Sequence, residues 1–146
     1  MLDKILNAPV IAELKQSHLF KAMNDQEFDQ ALLFLRLKSL SAEQLLFQQG
    51  DQLTHIYYVF DGAIKLFRST RKGNEKIIEV VESGHSFGEG VLFEGTPKYP
   101  VSSIAMKSTV LVSIKANDYL NILKNCNNLC INMLGHLSKR LHWMLK

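Results

Sequence analysis

Ser83-Gly84-His85-Ser86-Phe87-Gly88-Glu89-Gly90-Val91-Leu92-Phe93-Glu94-Gly95-Thr96-Pro97-Lys98-Tyr99-Pro100-Val101-Ser102-Ser103-Ile104-Ala105-Met106 holds four of the chain's eight glycines and two of its three prolines. Apolar runs lie on both sides of it. Such punctuation inside a core means that the backbone turns sharply or must approach something closely. Glu89 follows Gly88 and opens a short apolar segment, Val91-Leu92-Phe93, that suits a brief helix. The free N–H groups of its first turn would make an anion site. Gly95-Thr96-Pro97 stops that helix, and a strand resumes over Val101 to Met106. Strand, Gly-Glu, short helix, turn and strand, in that order, have the shape of a pocket.

Outward from this stretch the period is mostly two. Thr109 to Ile114 is expected to pair with Val101 to Met106. Upstream, His55 to Phe60 is a β-branched and aromatic run ending in Asp61-Gly62, and Ala63 to Arg68 alternates at once afterwards. That pattern predicts a hairpin. Arg71-Lys72-Gly73-Asn74 turns the chain again into Lys76 to Val81, and Leu37 to Phe47 supplies the first strands. Seven or eight short strands predict a jelly roll, a mainly β fold with flanking helices. Helices are expected at Ala8 to Gln16, at Asp25 to Leu35 with Asn24 or Asp25 as cap, from Asn117 through Lys124, and from Asn127 to the last residue. On the last of these, Cys130, Leu134, Leu137, Leu141 and Met144 are spaced four, three, four, three. This is a heptad seam, the pattern of a helix that packs lengthwise on a partner helix. The seam still runs at Lys146, with no stop signal, which predicts a fragment cut inside a longer helix.

Composition narrows the function. The 146 residues, 47% hydrophobic, can build one real core, and a formal net charge of +3 is no nucleic-acid footprint. Continuous apolar runs are too short to span a membrane, and Asp3, Lys4 and Asn7 interrupt any signal-peptide core, so a cytoplasmic protein is expected. Cys126 and Cys130, four apart in a helical stretch, form no disulfide framework and no zinc site. His55 and His85 stand on separate elements with no His-x-His pair, which disfavours a metal oxygenase, and no nucleophile–base motif appears. The chain is not expected to be an enzyme.

Phe47-x-x-Gly50-Asp51, Tyr57-x-Val59-x-x-Gly62-x-Ile64-Lys65 and Phe87-Gly88-Glu89 follow one another as in the cyclic-nucleotide-binding fold. With helices before the roll and a long helix after it, the chain resembles the sensor domain of the CRP/FNR superfamily of bacterial transcription regulators. Gln16-Ser17-His18-Leu19-Phe20, Glu75 to Val80 and Thr96 to Tyr99 look like the nitric-oxide-responsive regulators of denitrification.

The resemblance implies a double-stranded β-helix with its N-terminal helices over residues 1–126 and the start of a dimerisation helix over 127–146. It also implies a homodimer, a small-molecule effector held in the roll, and DNA contact only through a C-terminal helix-turn-helix that is not in this chain. A cyclic-nucleotide regulatory module of another protein is the alternative.

In cyclic-AMP-binding members the glutamate matching Glu89 holds the ribose. About ten residues on, an arginine and a hydroxyl residue take the phosphate. By ungapped count those positions are Tyr99 and Pro100, so a charged fork is replaced by a neutral phenol and a hydroxyl by an imide ring. Strand alternation points Lys98 away from the face that Tyr99 uses. The expected effector pocket is therefore apolar, lined by Phe87, Gly88, Glu89, Leu92, Phe93, Lys98, Tyr99 and Pro100. Haem reporting nitric oxide is the effector chemistry that the denitrification resemblance implies, with His18, His55 and His85 as candidate axial ligands.

Overall fold

Alternating β-branched, aromatic and polar residues run from Arg36 to Lys115 and build eight strands. They are β1 (Arg36–Leu40), β2 (Leu45–Phe47), β3 (His55–Asp61), β4 (Ala63–Ser69), β5 (Glu75–Glu82), β6 (Ser86–Phe87), β7 (Ser102–Ala105) and β8 (Thr109–Lys115). A computed structural model describes residues 6–145. One antiparallel sheet has the order β1-β8-β3-β6 and the other β2-β7-β4-β5, which is the expected jelly roll. Ile56, Val59, Ile64, Ala105 and Leu111 are fully buried.

The Asp61-Gly62 corner is not the hairpin that its sequence predicts. β3 and β4 belong to different sheets, so the chain crosses from one to the other there. Gly62 has φ +118°, and a Cβ on it would stand 2.8 Å from the Thr109 Cα. A close backbone crossing, rather than a two-residue turn, requires the glycine. The same correction applies to the expected pair over Val101 to Ile114, because β7 and β8 also lie in opposite sheets. Alternation with a two-residue period marks a strand with one buried face but does not say which sheet it joins. Arg71 to Asn74 does close a true hairpin, with β4 and β5 paired from Ala63↔Glu82 to Ser69↔Glu75 across one bulge between Leu66 and Phe67.

The remaining described residues, 6–35 and 117–145, form a second, helical unit. α1 (Ala8–Gln16) begins at Asn7, whose Oδ1 accepts from the Val10 amide at 3.1 Å. α2 (Asp25–Ala31) has a full capping box: Asn24 Oδ1 accepts from the Glu27 amide at 2.8 Å, and Glu27 Oε1 from the Asn24 amide at 2.9 Å. The expected helix to Leu35 tightens into a 3-10 turn at Leu32–Phe34. α3 (Ala116–Lys124) starts one residue before the expected Asn117, and α4 (Asn127–Met144) starts as expected, while Lys146 lies outside the described residues. Tyr119 is fully buried and its hydroxyl donates to the Leu19 carbonyl at 2.9 Å. Phe20 meets Phe28 and Tyr119 edge-on at 5.8 and 5.9 Å. This division follows packing, whereas the boundary expected at 126/127 is one of function. No helix among the described residues is long and apolar enough to cross a membrane.

Candidate functional site

β6 ends at Phe87, and Gly88 then takes φ +100°, a left-handed turn that costs other residues about 1–2 kcal/mol. A Cβ there would stand 3.4 Å from the His55 carbonyl, so the turn lies flat against the start of β3. The expected short helix is a single 3-10 turn, Glu89–Val91, too brief to make an anion site. Glu89 is wholly buried, and Ser86 Oγ donates to its Oε1 at 3.0 Å. A buried carboxylate has to keep polar partners of this kind.

Opposite this turn stands an aromatic cluster. Tyr99 lies flat on Phe47, with ring centroids 3.6 Å apart and planes 7° from parallel. Phe47 also meets Tyr57 at 6.3 Å and Phe87 at 6.1 Å, and Tyr57 meets Phe87 at 5.4 Å. All four rings are buried. Such pairs contribute about 0.5–1.5 kcal/mol each beyond the area they bury. The Tyr99 hydroxyl donates to the His55 carbonyl at 2.8 Å and accepts from the His55 amide at 3.1 Å. Its own backbone is laced to the Gly50–Asp51 turn, donating to the Asp51 carbonyl at 2.9 Å and accepting from the Gly50 amide at 2.8 Å. Tyr99 therefore spends both its ring and its hydroxyl on the protein itself.

The other expected site residues divide. Phe87, Gly88, Glu89, Leu92 and Tyr99 point inward or line the turn, with Leu92 buried. Phe93 does not: its side chain is 55% exposed, because the 3-10 turn ends before it and aims it at solvent. Lys98 is exposed beside Gln52, and Pro100 is exposed too, its carbonyl accepting from Arg68 Nε at 3.0 Å. The sequence reading took Phe47 only as a motif residue and did not place Tyr57 in the site. Their signal was alternation: Phe47, Tyr57 and Phe87 are each the large aromatic of an inward-facing position.

The three candidate histidines are dispersed. His85 is exposed on the turn before β6. His55 opens β3 half-buried, its Nδ1 3.0 Å from Thr54 Oγ1. His18 belongs to the helical unit, where its ring stacks on His136 at 3.7 Å and Asn132 Nδ2 donates to its carbonyl at 2.7 Å. The residues inside the roll do not fit a haem. Rings 3.6–6.3 Å apart leave no slot for a porphyrin between them, and neither roll histidine points from inside the cluster.

On α4 the buried face is Leu129 and Met133, preceded by Cys126, whose thiol burial pushes above its ordinary value. The seam residues lie beside that face. Cys130 is half-buried, its Sγ donating to the Leu123 carbonyl at 2.8 Å, and Leu137 is half-buried. Leu134, Leu141 and Met144 are exposed by 61, 60 and 75%. A continuous apolar strip thus faces outward.

Comparison with known proteins matches residues 37–126 to the cyclic nucleotide-binding domain. The cyclic AMP receptor protein of Thermus thermophilus is 30% identical over 129 residues, 88% of this chain and 59% of its own length. The chain thus spans well under two thirds of that relative. The fumarate nitrate reduction regulatory protein of Klebsiella oxytoca is 29% identical over 93 residues, 63% of this chain and 36% of its own. The crystal structure of the sensor domain of the transcriptional regulator DNR from Pseudomonas aeruginosa superposes with a TM-score of 0.84 at 29% identity, covering 94% of this chain and 91% of that one.

Proposed function

The chain belongs to the cyclic nucleotide-binding domain family, with the CRP/FNR-type regulators, and from this we propose that it is the effector-sensing domain of a transcription regulator that does not answer to cyclic AMP. The observation that carries this is Tyr99. At the position where the family pattern has an arginine, the chain has a neutral ring stacked on Phe47 and a hydroxyl bonded to His55. A cyclic phosphate would meet no fork of charged donors there. Losing one charge-assisted hydrogen bond costs about 1.5–3 kcal/mol, and Glu89 adds repulsion. The domain acts by binding, without catalysis, in a cytoplasmic homodimer joined along α4. Contact with DNA belongs to a separate helix-turn-helix.

Haem and nitric oxide are the finer reading, supported by the likeness to the DNR sensor domain. Since the roll interior does not fit a haem, His18, which lies outside it, is the remaining candidate ligand. Imidazole is an axial haem ligand, and the haem would supply the site at which nitric oxide binds.

Calorimetry with cyclic AMP decides the main reading. We expect affinity no better than micromolar for the unaltered chain, and nanomolar binding would refute it. A haem titration, repeated on His18→Ala, tests the second. A defined absorption band that the substitution abolishes supports it, and absence of any band removes it.

A further inference from the structure

The helical unit contains a cavity of its own, about 330 Å³ in volume, and every residue lining it belongs to that unit. Two helical faces make it. From Met23 through α2 and its 3-10 turn, Met23, Glu27, Ala31 and Phe34 recur at intervals of four, four and three. On α3 and just past it, Asp118, Asn121, Ile122 and Asn125 recur at three, one and three. Such spacing puts each set on one side of its helix. Ala31 is buried and contributes only a methyl group to the wall.

The lining has one sign of charge. Glu27 and Asp118 are both half-buried, and no lysine, arginine or histidine lines the cavity. In a chain with a formal net charge of +3 this is a local reversal. The rest of the wall is largely apolar: Met23 and Ile122 are half-buried, and Phe34 is 43% exposed.

Two of the acceptors are fixed in advance. Glu27 Oε1 is held by the Asn24 amide at 2.9 Å, within the capping box of α2. Asn125 Nδ2 donates to the Asn121 carbonyl at 2.8 Å, so its Oδ1 is the atom left to accept. Acceptors that are already ordered lose less freedom when a ligand arrives. Cys126 also lines the cavity, and its thiol is raised above the ordinary value, first by burial and further by the Glu27 carboxylate. A neutral thiol is a poor nucleophile, so binding here is non-covalent.

We propose that this cavity binds a small organic cation, a primary ammonium or amidinium group carried on an apolar, aromatic body. The cationic head would donate to Glu27, Asp118 and Asn125 Oδ1, and charge-assisted bonds of this kind are the strong ones. The body would lie against Met23, Phe34 and Ile122, with the Phe34 ring adding a cation–π attraction. An anion would be repelled. A neutral apolar molecule would take water from two carboxylates and return no counter-charge. The volume lies at the low end for small-molecule sites, about 300–1,000 Å³, and the cavity offers far less surface than a stable protein interface needs. The occupant would touch Cys126, the N-cap of α4, and the site is independent of what the roll binds.

The test is an amide-resolved NMR titration of the intact chain with phenethylamine near pH 7, where the amine is protonated. Shifts should be confined to residues 23–34 and 118–126. Phenylethanol and phenylacetate, which carry the same body with a neutral and a negative head, should bind at least tenfold more weakly. Glu27→Gln with Asp118→Asn should weaken the amine at least tenfold as well. Glutamine can still accept the Asn24 amide, so the cap is kept, and circular dichroism checks the fold. Asp29→Asn makes the same charge change at an exposed α2 position outside the cavity and should leave affinity within twofold. Phenylethanol binding as tightly as the amine overturns the proposal, with no variant required. So does equal binding by the double variant, a shift map elsewhere, or no shift with millimolar amine. Tighter binding of the peptide Ala-Ala-Lys-Ala-Ala than of phenethylamine would overturn the small-molecule assignment.

Discussion

Replacing Tyr99 with phenylalanine isolates the role of one hydroxyl. The ring stays on Phe47, and the volume hardly changes, so the 3.6 Å stack is kept. What disappears is the hydroxyl that donates to the His55 carbonyl at 2.8 Å and accepts from the His55 amide at 3.1 Å. Tyr99 is only 3% exposed, so water cannot easily replace the missing oxygen. A buried amide left without its acceptor costs about 1–3 kcal/mol. Tyr99→Ala loses the stack too and leaves a void, for a total of about 3–5 kcal/mol. Urea unfolding followed by far-ultraviolet circular dichroism is the assay, because Trp143 is 80% exposed and in the helical unit, where fluorescence would not report on the roll. A Tyr99→Phe protein as stable as the parent would refute the reasoning. The hydroxyl would then be free of the protein and available to a ligand.

Gly62→Ala should destabilise the roll by about 2–5 kcal/mol, combining left-handed strain with overlap against the Thr109 backbone. Gly90→Ala, with nothing within 4 Å of the added methyl, should be near neutral in the same melt. The Cys126 thiol is raised from the ordinary value of 9.0, mainly by burial, so the folded state holds its proton longer than the unfolded one. Its contribution to stability is therefore complete below that ordinary value and is lost as pH rises toward the folded one. Cys126→Ala should flatten the alkaline fall in stability, measured as denaturation midpoints across pH 7.5 to about 10.5. Leu134→Asp with Leu141→Asp should leave a folded monomer where the parent associates, since both side chains are exposed in the single chain; light scattering at high concentration reads the outcome.

Most of the roll was legible because its signals are local. Asn24 before Asp-Gln-Glu announces the α2 cap, and Arg71 to Asn74 announces a hairpin. What failed was non-local. Asp61-Gly62 reads as a tight turn in any sequence, and only the packing of Thr109, nearly fifty residues on, makes it a crossing between sheets. The site was half legible for the same reason. Gly88 and Glu89 follow from backbone demands, whereas Phe93 was assigned to the pocket by neighbourhood and faces solvent because the 3-10 turn ends two residues before it, at Val91. The Phe47–Tyr99 stack joins positions 52 residues apart, each strand-like on its own, and no spacing rule links them.

Gly88 is required by the backbone whatever ligand the roll holds, whereas Tyr99 is a side-chain choice that can be reversed at a cost the structure sets. The double change Tyr99→Arg with Pro100→Ser restores a charged fork and a hydroxyl but removes the stack on Phe47 and both bonds to His55. An arginine in that aromatic setting carries an unpaired charge until an anion arrives, and one buried unpaired charge is strongly destabilising. The variant without nucleotide should therefore melt below the parent. Cyclic AMP should bring it back, because a ligand that binds only the folded state adds about 2.7 kcal/mol at a concentration one hundred times its Kd. The parent's melting temperature should not respond to the nucleotide. Thermal scans of both proteins with and without cyclic AMP give four curves, and only the variant pair should separate. If the variant melts low and cyclic AMP leaves it there, Tyr99 does not stand at the phosphate position, and its stack is structural alone.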